Sequence, residues 1–305
     1  MDEQAKRILV GVDCTRDGKL TKPSLQAVEE ASFWAKEWNS SICFAHFLEV
    51  PQSFWMRMTE TGGSALEAIR GSMQNLVDSA TGVGLRAHYR LERGKPWMEL
   101  IYEVQREGFG LVFAGSASPN SLARAVFGST TSKLVRKCPV PVWITKTEAT
   151  PSESGCILAA HDLKETGETG LRYAVTIARR LGVALKVIHA LELPELTGFF
   201  TTVPSGKLAE EKQIARQRIE SQLRECEFDG DYQIDLEIAP AAPVVLRVLK
   251  EESVRLLVMG SVGRSGVPGL LVGNTAEALL PWIPCSTLVV KPEAFATPVS
   301  LPLDR

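Results

Sequence analysis

Apolar residues along this chain fall into two kinds of run that alternate. Short, nearly continuous apolar blocks, such as Ile8-Leu9-Val10 and Leu111-Val112-Phe113-Ala114, read as strands covered on both faces. Between them lie longer stretches in which apolar positions recur every three or four residues. Over 23–38, Pro23 suits the first turn of a helix, and Leu25, Val28, Ala31, Ala35 and Trp38 fall at helical spacing. The first half predicts strands at 6–12, 41–48, 84–91, 111–114 and 140–145, with helices at 23–38, 64–80, 96–107 and 130–137. Residues 51–63 break the pattern and are expected to be an irregular insertion. The second half predicts strands near 156–161, 184–191, 232–238, 255–259 and 286–291, and helices near 168–181, 206–226, 243–253 and 275–281. Strands that alternate with helices imply crossover connections and a parallel sheet.

The element order is the same in both halves, and so are several segments. Arg7–Asp13 matches Cys156–Asp162, Ser41–Glu49 matches Ala184–Glu192, and Pro139–Lys146 matches Pro284–Lys291. Two tandem domains follow, 1–147 and 155–305, joined by a polar linker that contains Pro, Ser and Gly. Each is of ordinary domain size.

The richest local signal is RLLVMGSVGRSGVPGLLVGNT at 255–275. An apolar strand ending in Met259 stops at Gly260, Gly263 follows, and Gly273-Asn274-Thr275 opens a helix-like run. Such a loop gathers backbone N–H groups in one space, and the helix N-terminus adds its positive dipole end, which suits phosphate. The layout recurs 145 residues earlier as Gly115, Ser118 and Gly128-Ser129-Thr130. Asp162 follows the first strand of its domain and Gly260 the fourth, so a parallel sheet brings both to its carboxyl edge, where open α/β sheets bind ligands. A carboxylate there repels phosphate and attracts hydrogen-bond donors. An adenine nucleotide offers both a donor end and a phosphate end.

The spacing Gly260-x2-Gly263-x9-Gly273, with the element order around it, resembles the nucleotide-binding signature of the universal stress protein family. The resemblance spans nearly the whole chain as two copies. LVRKCPVPVW at 134–143, GNTAE at 273–277 and the tail from Val290 are similar to the tandem, E-type bacterial branch of that family. It implies two Rossmann-like, adenine nucleotide alpha hydrolase-like domains, each a five-stranded parallel sheet with helices on both faces. It also implies contacts to adenine from Asp162 and Ala190, and to phosphate from Gly260, Gly263, Gly273, Asn274 and Thr275. Met259 and Arg264 flank the loop. The first-domain counterparts are Asp13, Phe47, Gly115, Ser118, Gly128, Ser129 and Thr130. Two departures weaken that copy: Ser118-Pro119 occupies the place of a loop glycine, and Phe47 stands where the base would lie. Asn274 stands where the family has Ser or Thr. The family also pairs through its last strand, so the two domains are expected to form a pseudo-dimer within the chain, with a homodimer left open.

Composition narrows the function. An apolar content of 45% suffices for two cores, and a net charge of −2 gives no general pull toward nucleic acid or an anionic membrane. No apolar run approaches the ~18 residues of a membrane span. The start Met1-Asp2-Glu3-Gln4 carries no leader pattern, so a cytoplasmic protein is expected. The six cysteines show no metal spacing, and no metal site is expected beyond Mg²⁺ brought by ATP. There is no P-loop lysine, no GxGxxG after the first strand and no GxSxG elbow. The chain therefore reads as a stress-response binder of ATP in domain 2, with at most slow hydrolysis. The alternative is a non-nucleotide scaffold, or a carrier of a small molecule or lipid intermediate, using the same clefts. Blander roles stand beside these. The glycines and aspartates also suit tight turns, His46 and His189 suit structural bonds, and Trp34 and Trp38 suit a core.

Overall fold

The computed structural model describes residues 5–116, 128–146, 155–191, 205–261 and 279–302. The chain divides into two compact units, Met1–Glu148 with Phe295–Arg305, and Ala149–Ala294.

The first unit runs β1 (Arg7–Gly11), α1 (Lys22–Glu37), β2 (Ser41–Leu48), α2 (Gln52–Thr61), α3 (Ser64–Gly82), β3 (Arg86–Arg93), α4 (Pro96–Glu107), β4 (Leu111–Ser116), α5 (Ser129–Lys137) and β5 (Val142–Lys146). Its strands lie in the order β3-β2-β1-β4-β5, all parallel. The chain leaves β1 to one side for β2 and β3, then returns to the other side for β4. The strand order thus reverses between β1 and β4, the place where such sheets take ligands. Ile8, Leu9, Val10, Ile42, Phe44, Val112 and Phe113 are fully buried, as a sheet covered on both faces requires.

α1 shows how the sequence sets this packing. Ala27, Ala31, Trp34 and Ala35 are its buried apolar residues, and the small ones let the helix backbone lie close to the sheet. The closest approach is at Gly115, where an added Cβ would stand 2.1 Å from the carbonyl oxygen of Pro23. The buried stripe lies slightly around from the predicted one, since Leu25 is 47% exposed. At the far end Trp34 stacks on Trp38 with centroids 4.5 Å apart and meets Trp143 of β5, whose Nε1–H donates to Glu30 at 2.9 Å. Both helix tryptophans therefore belong to the apolar packing. Segment 51–63, expected to be irregular, holds a ten-residue helix, α2, that ends on left-handed Gly62. None of residues 52–60 is buried and Phe54 and Met56 are exposed, so no inward apolar stripe advertised the helix. The tail after residue 294 packs on this unit: Thr297 donates to the Lys137 carbonyl at 2.6 Å and Gln105 to that of Val299 at 3.0 Å.

The second unit runs β6 (Cys156–Ala160), α6 (Glu165–Leu181), β7 (Leu185–Ala190), α7 (Ser205–Glu225), β8 (Tyr232–Glu237), α8 (Ala241–Glu251), β9 (Val254–Gly260) and β10 (Ser286–Val290). Its strands lie in the order β10-β9-β6-β7-β8, again all parallel, and the order reverses between β6 and β9. The predicted helix near 275–281 falls largely outside the described residues. Among the described residues, no helix is long and apolar enough to cross a membrane.

Candidate functional site

At the switch point of the first sheet a cleft of about 590 Å³ opens between the ends of β1 and β4. Gly11, Val12 and Asp13 come from the end of β1, Ala45, His46 and Phe47 from β2, and Ala114 and Gly115 from β4. Thr21, Pro23 and Ser24 come from the start of α1, Pro96 and Leu100 from α4, and Gly128, Ser129, Thr130 and Thr131 from the start of α5. Six of the seven candidate residues of this domain thus line one space. The seventh, Ser118, lies outside the described residues.

The two ends of the cleft differ in polarity. At the β1 end the backbone donors are already taken. Val12 N–H donates to Ala45 at 2.9 Å, Asp13 N–H to the Ser24 hydroxyl at 2.8 Å, and Thr21 N–H to the Asp13 carbonyl at 3.0 Å. The Asp13 side chain itself is exposed. At the other end α5 begins after Gly128, with no side-chain cap and no acidic residue in its first turn. Its first backbone bond is Ser132 N–H to Gly128 at 3.0 Å, so the N–H groups of Ser129, Thr130 and Thr131 precede the helical ladder. One end is rich in acceptors and the other in donors with a positive dipole. Burial, and then the Asp13 charge, push the neighbouring Cys14 thiol up to about 11, which disfavours its thiolate.

Phe47 was expected to crowd a base. It is 4% exposed and forms part of the wall, opposite Glu92 in the β2–β3 register. Gly115 is held to glycine by Pro23, so its smallness serves helix packing whether or not phosphate approaches. The sequence did not single out Thr21 and Ser24. Their signal was a hydroxyl pair just before and just inside the α1 start, a common helix-start pattern.

In the second unit the register places Ala160 of β6 beside Met259 of β9, so Asp162 and Gly260 emerge side by side at the carboxyl edge. Ala190 closes β7, half-buried, and Met259 is buried. Gly263, Arg264, Gly273, Asn274 and Thr275 lie outside the described residues. An added Cβ at Gly260 would meet Thr166 of α6 at 3.0 Å, the counterpart of the Gly115 contact. Asp162 is engaged locally. Its Oδ1 accepts from the backbone N–H of Lys164 at 3.0 Å and of Gly167 at 3.1 Å, which serves the first turn of α6. The neighbouring turn holds Leu163 at φ 57, and Leu163 N–H donates to His161 Nδ1 at 2.9 Å. His161 Nε2 lies 2.7 Å from Gln222 Oε1 on α7, which makes it the ring donor. Burial lowers the His161 pKa from its ordinary value, against the Gln222 bond, and favours this neutral ring.

One device recurs in both units. His46 Nδ1 lies 3.0 Å from the Val12 carbonyl, and His189 Nδ1 lies 2.7 Å from the His161 carbonyl. Each ties the second strand to the residue just before the first-strand aspartate, the structural part expected for both histidines.

The comparisons agree with this doubled architecture. The profile of the universal stress protein family matches residues 4–146 and again 155–291. The chain is similar to Universal stress protein E of Escherichia coli K12, at 28% identity over 224 residues, 68% of each chain. It is also similar to the protein of that name from Salmonella typhi, at 25% identity over 244 residues, 71% of this chain and 75% of the relative. Among solved structures, a putative universal stress protein from Pseudomonas aeruginosa UCBPP-PA14 matches with a TM-score of 0.69 and 22% identity over 95% of both chains. One from Archaeoglobus fulgidus DSM 4304 matches with a TM-score of 0.69 and 19% identity over 94% of this chain and 99% of that one, a likeness of fold. With two copies of its signature fold covering most of the sequence, the chain belongs to the universal stress protein family.

Proposed function

We propose that this protein is a regulatory binder of adenine nucleotides, with ATP held at the carboxyl edge of the second sheet. The observation that carries the reading is the polarised cleft at the first switch point, with acceptors at the β1 end and the uncapped start of α5, with its positive dipole end, at the other. That is the polarity of a base with an amino edge joined to phosphates. The second domain has the matching strand register and keeps both loop glycines in its sequence, Gly260 and Gly263, where the first has Gly115 and Ser118-Pro119. A side chain and a fixed φ in that loop hinder phosphate from reaching the backbone, so ATP belongs in domain 2 and the first cleft suits fewer phosphates. In this role nucleotide occupancy biases a conformation or a partner interaction, and hydrolysis is at most slow.

Thermal unfolding with and without ATP tests this. A ligand that binds only the folded state at a hundred times its Kd stabilises by about 2.7 kcal/mol. ATP is expected to raise the unfolding temperature in a concentration-dependent way, and adenosine to raise it less. No shift at millimolar ATP would favour the carrier or scaffold reading, which draws on the exposed Phe54 and Met56 of α2.

A further inference from the structure

We propose that the groove between α7 and the open edge of β8 is a docking site for an extended acidic peptide, which adds to the second sheet as a further strand. The proposal stands independently of the nucleotide reading and concerns the outer edge of the second unit.

β8 is the outermost strand of its sheet and pairs with β7 alone. Leu185 N–H donates to the Asp231 carbonyl at 2.9 Å and Leu191 N–H to that of Glu237 at 2.7 Å, so the odd-numbered residues of β8 turn their backbone groups toward β7. Tyr232, Ile234 and Leu236 therefore turn theirs outward. An edge of this kind is a template for another strand, and proteins commonly guard it with charges, above all cations, or with Pro. The outer strand of the first sheet, β3, carries Arg86, Arg90 and Arg93. β8 reads YQIDLE and carries no cation and no Pro.

Beside this edge lies a groove of about 540 Å³, lined by Lys212, Gln213 and Arg216 of α7 and by Ile234, Asp235, Leu236 and Glu237 of β8. Arg216 donates to the outward Ile234 carbonyl at 3.1 Å, which places α7 along the open side of the strand. The two acids of the groove are already neutralised, Asp235 by Lys186 at 2.9 Å and Glu237 by Arg247. Its two cations are not. Among the described residues the Lys212 ammonium has no partner, and the Arg216 guanidinium bonds only that neutral carbonyl. The groove is thus positive in sum and flanked by the outward N–H groups of Ile234 and Leu236. A strand laid there offers its carbonyls to those N–H groups and turns alternate side chains toward α7. Acidic residues at those alternate positions meet Lys212 and Arg216, which stand one helical turn apart.

Fluorescence anisotropy on the full-length protein tests this, with a dye-tagged octapeptide of alternating Glu and Val, capped at both ends. It is expected to bind at least about tenfold more tightly than the same peptide with Lys in place of Glu, and more weakly as salt rises. The double variant Lys212→Glu with Arg216→Glu should weaken binding at least about tenfold. Amide hydrogen exchange reads the added strand itself. The Glu peptide should slow exchange at Ile234 and Leu236, whose N–H groups face outward, and leave Gln233 and Asp235, already in the ladder with β7, unchanged. If the charge-reversed variant fails to fold, the two peptides and the exchange pattern of the parent protein decide. No binding at millimolar peptide, equal binding of the Lys peptide, full binding by the folded double variant, or binding that leaves the Ile234 and Leu236 amides unprotected overturns the proposal. Protection of those amides without peptide, in a protein that sediments as a dimer, also overturns it and gives the groove to a second copy of this chain.

Discussion

Asp13 and Asp162 follow the first strand of their sheets in the same way, yet their carboxylates meet different surroundings. Asp162 Oδ1 accepts from Lys164 and Gly167 and so supports the start of α6, while the Asp13 side chain stands exposed at the cleft. In the first domain the Ser24 hydroxyl accepts the backbone bond next to the aspartate instead. Removing a helix-start acceptor costs about 0.5–2 kcal/mol, whereas an exposed substitution stays within about 0.5 kcal/mol. Asp162→Ala should therefore lower stability by about 1 kcal/mol in chemical denaturation. Asp13→Ala should leave stability unchanged and weaken AMP binding in the first cleft. Equal destabilisation by both would show that the two aspartates do the same work. The sequence placed both residues at the sheet edge from strand order alone. It could not distinguish them, because the partner of a short carboxylate depends on how the following turn closes, here with Leu163 at positive φ.

Helices α1 and α6 approach their sheets closely at glycines near the ends of β4 and β9. The predicted reason for Gly115 was phosphate access, and the structure adds an independent one in the Pro23 carbonyl, 2.1 Å from a built Cβ. Gly115→Ala must push α1 off the sheet, and overpacking of this kind costs about 1–3 kcal/mol. Gly71 within α3 is the control, since a Cβ there meets nothing within 4 Å. Gly71→Ala should stabilise by up to about 1 kcal/mol through helix propensity. Unfolding midpoints that move in opposite directions support the packing argument, and a neutral Gly115→Ala contradicts it. At this scale the sequence was legible wherever burial imposes a period. The paired strands and the helices α3, α4, α6, α7 and α8 all fall where the apolar pattern put them. It failed at α2, whose residues are largely exposed and impose no period, and it turned the buried stripe of α1 toward Leu25. On α1 the buried positions are mostly alanine, a weak apolar signal beside leucine and valine.

At the scale of the molecule, the doubling of one fold was the feature most plainly written in the sequence, since matched segments recur in the same order. The family profile matches both copies. The copies then diverge at the carboxyl edges of their sheets. The first offers the polarised cleft with His46 and Asp13 at one end and the α5 start at the other. The second keeps both glycines, Gly260 and Gly263, in its sequence; Thr166 already restricts Gly260 by packing, so Gly263 is the one that bears on a proposed phosphate-holding loop. The central claim is that backbone N–H groups of that loop hold the phosphates of ATP in domain 2. Calorimetric titration of ATP into the parent and into Gly263→Val tests it most directly. Each hydrogen bond to a charged group contributes about 1.5–3 kcal/mol, so losing two lowers affinity roughly a hundredfold or more. The account predicts one tight site in the parent and its loss in the variant. A folded Gly263→Val protein that binds ATP as tightly as the parent would contradict it.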